Sequence, residues 1–179
     1  MHRAFEEAGV PPVEDEAVRA IIGLSLPIAI GQLLNIDPQS RRAAELTNLY
    51  KGQFTRYRQS GDFAEPMFEG IKNLLEGLKK RPAVSAGVVT GKSRRGLQLV
   101  ACHHGFEELL PVSRTADDCA SKPAPDMVLE CCAQSGIEEA RTLVIGDTTY
   151  DMQMAKAAGA RAIGVSWGYH PPEALLLAG

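Results

Sequence analysis

The sequence predicts an α/β protein with a parallel sheet core and an all-helical unit ahead of it. Two observations carry this reading. Up to about residue 61 the apolar positions recur at helical spacing: Phe5 and Ala8, then Val18, Ile21 and Ile22, then Leu46, Leu49, Tyr50 and Phe54. From Pro66 onward, short apolar runs alternate with helical patterns, as strand–helix units of a parallel sheet do. The change of period sets a boundary between residues 61 and 66, with a helical domain over 1–64 and an α/β domain over 65–179.

In the first part, breaks at Gly9-Val10-Pro11-Pro12, at 23–27 and at Asn35-Ile36-Asp37-Pro38 separate about four helices. Asp37-Pro38 reads as a helix start. In the second part the pattern predicts a helix over 68–80, a strand over 83–89 and a helix over 93–103. A short strand over 110–113 follows, then a helix over 125–135 with Pro125 in its first turn. A strand over 143–145, a helix over 149–158 and a strand over 162–165 complete the series.

The 179 residues are 45% hydrophobic and 23% charged, with a net charge of −3, a globular composition. That balance points away from nucleic-acid and membrane partners. No run approaches the roughly 20 apolar residues of a membrane span. The first seven residues are amphipathic and acidic, unlike a secretion signal. Cys102, Cys119, Cys131 and Cys132 read as reduced thiols, and a cytoplasmic location is expected. Cys102-His103-His104 with Cys119 matches no standard zinc spacing.

Three strand ends carry polar groups. After the first strand comes Thr90-Gly91-Lys92-Ser93, a hydroxyl and backbone amides near a helix start, which suits a phosphate oxygen. A plain helix cap is the competing reading. The run from Ala86 to Ser93 also fits a relaxed nucleotide phosphate loop, but Val88 and Val89 read as strand where that loop needs glycine-rich backbone. Lys122 lies between the second strand and the next helix, its backbone restricted by Pro123 and Pro125. A fixed ammonium there would neutralise phosphate charge; an ordinary surface lysine is the alternative. Gly146-Asp147-Thr148-Thr149-Tyr150-Asp151 then follows an apolar strand. Two carboxylates four residues apart at a strand's carboxyl end suit Mg2+, which prefers oxygen ligands. A helix cap with a first-turn acid gives the same pattern.

In this order, Thr90-Gly91, Lys122-Pro123 and Asp147-x-x-x-Asp151 resemble motifs II, III and IV of the haloacid dehalogenase-like (HAD) hydrolase superfamily. The closest flavour is the phosphoglycolate phosphatase group. The resemblance covers most of the chain. It includes the helical first part, which looks like the family's cap, and Ala155-x-x-Ala158-Gly159-Ala160 with Ile163-Gly164-Val165. It implies a Rossmannoid core and an Mg2+-dependent phosphatase of a small phosphorylated metabolite, such as a phosphoglycolate-like or sugar phosphate; a phosphomutase shares the motifs. It also implies roles. Asp147 and Asp151 would be metal-side acids, Asp147 directly and Asp151 through water or by orienting Lys122. Thr90 and Gly91 would bind phosphate, and Lys122 would bind it and balance charge. Gly23-Leu24-Ser25, Arg19, Lys51 and Arg56 are candidate cap contacts.

The family's nucleophile, the first aspartate of Asp-x-Asp-x-Thr, has no counterpart here. Asn35-Ile36-Asp37-Pro38 lacks the second aspartate and a preceding strand. The expectation is therefore a family member whose first strand and nucleophile loop lie upstream of these residues, and which is inactive without them. The alternatives are a non-catalytic phosphate-binding or assembly protein, and a Gly-Lys-Ser triphosphatase. In the family that first strand lies mid-sheet, so its absence leaves unpaired edges that invite collapse, strand exchange or dimerisation; a monomer or a homodimer is expected, with strand exchange open to it.

Overall fold

The computed structural model describes residues 1–60, 65–109 and 111–179. The chain divides into two units, Met1–Ala64 and Glu65–Gly179. The boundary expected at 61–66 falls largely on residues outside those described, as does Leu110, where the second strand was expected to begin.

The first unit holds α1 (His2–Glu7), α2 (Asp15–Ala20), α3 (Leu26–Leu34) and α4 (Arg41–Gln59). α4 packs on α1 and α3, and the helical spacing brings Phe5, Ile30 and Leu46 together in a fully buried core. Asp37-Pro38 does not start α4. The Asp37 carboxylate accepts the Gln39 N–H and its carbonyl accepts the Ser40 hydroxyl, forming a turn. Ser40 is the cap, taking the Ala43 N–H on its side chain.

The second unit runs α5 (Ile71–Lys79), β1 (Gly87–Thr90), α6 (Arg94–His104), β2 (Val112–Thr115), α7 (Asp126–Ser135), β3 (Leu143–Gly146), α8 (Thr149–Ala157), β4 (Arg161–Gly164) and α9 (Pro172–Ala178). β1 starts later than periodicity suggests, because Arg81 and Pro82 enter a turn that the Val84 N–H closes on the Arg81 carbonyl at 2.9 Å. α5 also starts late, behind Gly70 at φ 81°. α9 lies beyond the last element the apolar pattern predicts; it is seven residues long and buries only Leu175.

All pairing is parallel. β1 pairs with β2 from Gly87↔Val112 to Thr90↔Thr115, and β3 pairs with β4 from Leu143↔Arg161 to Gly146↔Gly164. Among the described residues the ladder stays in these two parts, with no strand joining them. The parts share a core all the same. Val89 of β1 and Val144 of β3 both pack on the cluster of Met127, Val128, Cys132, Met154, Ala155 and Ala158. Parallel sheets are normally covered on both faces. Here Leu143, Ile145 and Ile163 stay exposed on β3 and β4. No helix among the described residues is long and apolar enough to cross a membrane.

Candidate active site

Thr90 ends β1 and Asp147 directly follows β3, at carboxyl ends of strands, where open α/β sheets bind ligands; Lys122 lies in the loop between β2 and α7, and Asp151 in the first turn of α8. The Asp147–Asp151 turn is the best-built part. Thr148 caps α8 and Asp151 is its third helical residue, a reciprocal capping box. Asp151 Oδ2 accepts the Thr148 N–H at 3.1 Å and the Thr148 hydroxyl at 2.7 Å. The Asp151 N–H returns to Thr148 Oγ1 at 3.4 Å. Asp151 Oδ1 takes the Lys122 ammonium at 2.5 Å.

This ion pair is buried, with Lys122 7% and Asp151 5% exposed. Burial would raise the Asp151 carboxyl; the Lys122 charge and the Thr148 hydrogen bonds outweigh it and hold the carboxyl below its ordinary value. Both Asp151 oxygens are thus engaged. Asp151 thereby holds the Lys122 ammonium in place. The close fit depends on Gly146, since a Cβ there would lie 2.3 Å from Asp151 Cβ.

Asp147 is different. Its Oδ2 accepts the Tyr169 N–H at 3.1 Å and its backbone carbonyl accepts the His170 N–H at 3.1 Å. Its Oδ1 accepts nothing among the described residues. A half-buried carboxylate with one held and one open oxygen suits a hard cation that keeps several waters. Asp147 and Asp151 do not form a closed cage: among the described residues no three His, Cys, Asp or Glu side chains converge as a metal site, the Cys102, His103, His104 and Cys119 set included.

At the end of β1, Thr90 Oγ1 accepts the Lys92 N–H at 3.1 Å, and the Thr90 hydroxyl donates to no acceptor among the described residues. The amides of the adjoining helix start are largely taken. Lys92 N–H is held by Thr90, Arg94 N–H by the Asp117 carboxylate and Gly96 N–H by Ser93 Oγ. This strand end therefore offers the Thr90 hydroxyl and the Gly91 region rather than an open row of amides. Gly87 to Thr90 is strand, so no loop exists here to wrap a triphosphate, and Lys92 pairs with Glu65 at 2.8 Å.

The described cysteines are free thiols. Burial and the Glu130 carboxylate push the Cys119 thiol up to about 11, which removes it as a nucleophile at neutral pH. Gly146 and Thr148 stood within the singled-out motif, where a helix cap was one of the two readings; Gly168 and His170 were not singled out. The Thr148-x-x-Asp151 spacing was a readable capping-box signal. The contacts of Gly168 and His170 span some twenty residues and left no local signal.

A family model described as haloacid dehalogenase-like hydrolase matches residues 1–165. The chain belongs to that family. It is 30% identical over 168 residues to the N-acetylmuramic acid 6-phosphate phosphatase of Pseudomonas aeruginosa, covering 92% of this chain and 72% of the relative. It is 30% identical over 178 residues to the phosphoglycolate phosphatase of Mannheimia succiniciproducens, covering 95% and 78%. A hydrolase from Pseudomonas syringae shares the fold, with a TM-score of 0.84 at 21% identity over 98% of this chain and 80% of that one.

Proposed function

We propose that this chain supplies the metal-side and phosphate-side half of an Mg2+-dependent phosphomonoester hydrolase acting on a small phosphorylated metabolite. The observation that carries this is the division of labour between the two aspartates. Asp151 is fully engaged and fixes Lys122, whereas Asp147 keeps an oxygen open. Asp147 would hold the cation, and Mg2+ bound there would supply electrostatic stabilisation of a phosphoryl group. Lys122, immobilised by Asp151, places a positive charge beside the transferring phosphoryl without moving during reaction. The Thr90 hydroxyl and the Gly91 amide bind the phosphate oxygens. The helical unit, 1–64, acts as the cap that selects the rest of the substrate. Relatives named for a phosphorylated sugar and for phosphoglycolate support a small sugar phosphate or phosphoglycolate-like substrate.

The attacking aspartate is not among these 179 residues. Without it no aspartyl-phosphate forms. The 179-residue chain is therefore expected to release no phosphate from p-nitrophenyl phosphate above background with Mg2+. Fusing a relative's amino-terminal strand with its Asp-x-Asp-x-Thr loop is expected to restore release, and Asp147→Asn to abolish it again. Robust Mg2+-dependent turnover by the chain alone would overturn the assignment of the nucleophile. Unchanged turnover in the fused Asp147→Asn variant would remove Asp147 from the metal site.

A further inference from the structure

We infer that the turn after β4, Gly168-Tyr169-His170, is a clamp that sets which oxygen of Asp147 meets the cation. This rests on the reading of Asp147 as the cation's carboxylate. The turn closes on the Asp147 loop through four contacts. The Tyr169 N–H donates to Asp147 Oδ2 at 3.1 Å and the His170 N–H to the Asp147 carbonyl at 3.1 Å. The Thr149 N–H donates to His170 Nδ1 at 3.1 Å, and the Thr149 hydroxyl lies 3.2 Å from the same nitrogen. The turn thus grips both sides of Thr148, the cap residue of α8.

Two features show that the approach is specific. A Cβ on Gly168 would fall 2.0 Å from Asp147 Cβ, so only glycine lets the turn lie this close. His170 is also held in one tautomer. Its Nδ1 accepts from Thr149, so the ring proton sits on Nε2, which is buried and has no partner among the described residues. An unmatched buried donor is unfavourable. The ring keeps that arrangement with Nδ1 on Thr149 and its centroid 5.7 Å from that of the Tyr150 ring, in a T-shaped contact. With Oδ2 held by a backbone donor, the carboxylate presents Oδ1 to a cation as a single ligand. His170 is a positioning residue: it touches neither cation nor substrate and orients the ligand's loop. Outer partners of this kind tune metal affinity by about 10–100-fold.

The test uses the 179-residue chain with Mn2+ as the probe, read by localised broadening of amide NMR signals, and hydrogen exchange of the Thr149 amide without metal. His170→Ala is expected to deprotect the Thr149 amide and weaken Mn2+ binding about tenfold. His170→Asn, whose side-chain oxygen can accept in place of Nδ1, is expected to restore both. Gly168→Ala is expected to weaken Mn2+ binding and displace the Tyr169 amide signal even if His170→Ala folds poorly. If Asp147→Asn removes binding but Gly168→Ala and His170→Ala leave it within about twofold, the clamp is overturned while the metal reading stands. If Asp147→Asn leaves binding unchanged, the metal reading falls and takes the clamp with it.

Discussion

The loops after β2 and β3 begin with the same turn and end differently. Asp118 Oδ2 accepts the Thr115 N–H at 2.8 Å and the Thr115 hydroxyl at 2.7 Å; Asp151 Oδ2 takes the corresponding pair from Thr148. In both, the aspartate N–H bonds the threonine carbonyl at 3.1 Å. In both, a cation pairs with the aspartate: Arg94 with Asp118, Lys122 with Asp151. After Asp151 come Met152-Gln153-Met154-Ala155-Lys156, good helix formers, and α8 propagates. After Asp118 come Cys119-Ala120-Ser121-Lys122-Pro123-Ala124-Pro125, and the prolines forbid a helix. The interrupted turn carries the chain onward to Lys122, which becomes the cation of the other turn. Burial separates them further. The Lys122 and Asp151 side chains are 8% and 7% exposed, against 35% and 31% for Arg94 and Asp118. One local motif therefore serves as a solvated brace in the first loop and as a buried charge pair in the second.

The two turns should differ most at their cations, Lys122 above all. Lys122→Met leaves Asp151 buried without its counter-charge, and stability should fall by about 3–5 kcal/mol in urea unfolding. Gly146→Ala drives a Cβ into Asp151 and should cost about 1–3 kcal/mol, read the same way. Arg94→Met removes a partly exposed partner and should cost at most about 1 kcal/mol. Equal losses at Lys122 and Arg94 would mean that burial does not separate the two turns.

Acid sharpens the contrast. Burial works against ionisation of both aspartates, and hydrogen bonds and cations win at both, so each carboxyl is held below its ordinary value. A depressed carboxyl contributes stability that is present above the ordinary carboxylate range and lost as pH falls through and below it. Urea midpoints should therefore decline below about pH 4. The decline should be shallower in Lys122→Met, where the charge that depresses Asp151 is gone. An unchanged acid profile in that variant would show that Asp151 does not depend on Lys122.

The alternation of periods was legible because each helix and strand buries one face, and burial leaves a repeat in the sequence. Strand ends were less legible. The start of β1 depends on the turn that the Val84 N–H closes, and α9 is too short to show a period. At the site, Lys122, Asp147 and Asp151 each also fitted a plain reading, a surface lysine or a helix cap; their order along the chain, which resembles the family's motifs, singled them out. Both aspartates read as metal-side acids from the resemblance, Asp147 directly and Asp151 through water or by orienting Lys122. Their hydrogen-bond partners differ, and those partners, Lys122 and Tyr169, lie in other loops that no local spacing reaches. Gly146 and Gly168 matter through close approaches that no local pattern announces.

Where a divalent cation binds tests the open oxygen of Asp147 directly. With substoichiometric Mn2+, the amide signals of residues 146–151 and 168–170 should broaden first, and excess Mg2+ should reverse this. Asp147→Asn should abolish the effect, while Asp118→Asn, in the parallel turn, should leave it intact. Broadening that begins elsewhere, or that persists unchanged in Asp147→Asn, would contradict the assignment of Asp147 as the open carboxylate of a metal-dependent hydrolase.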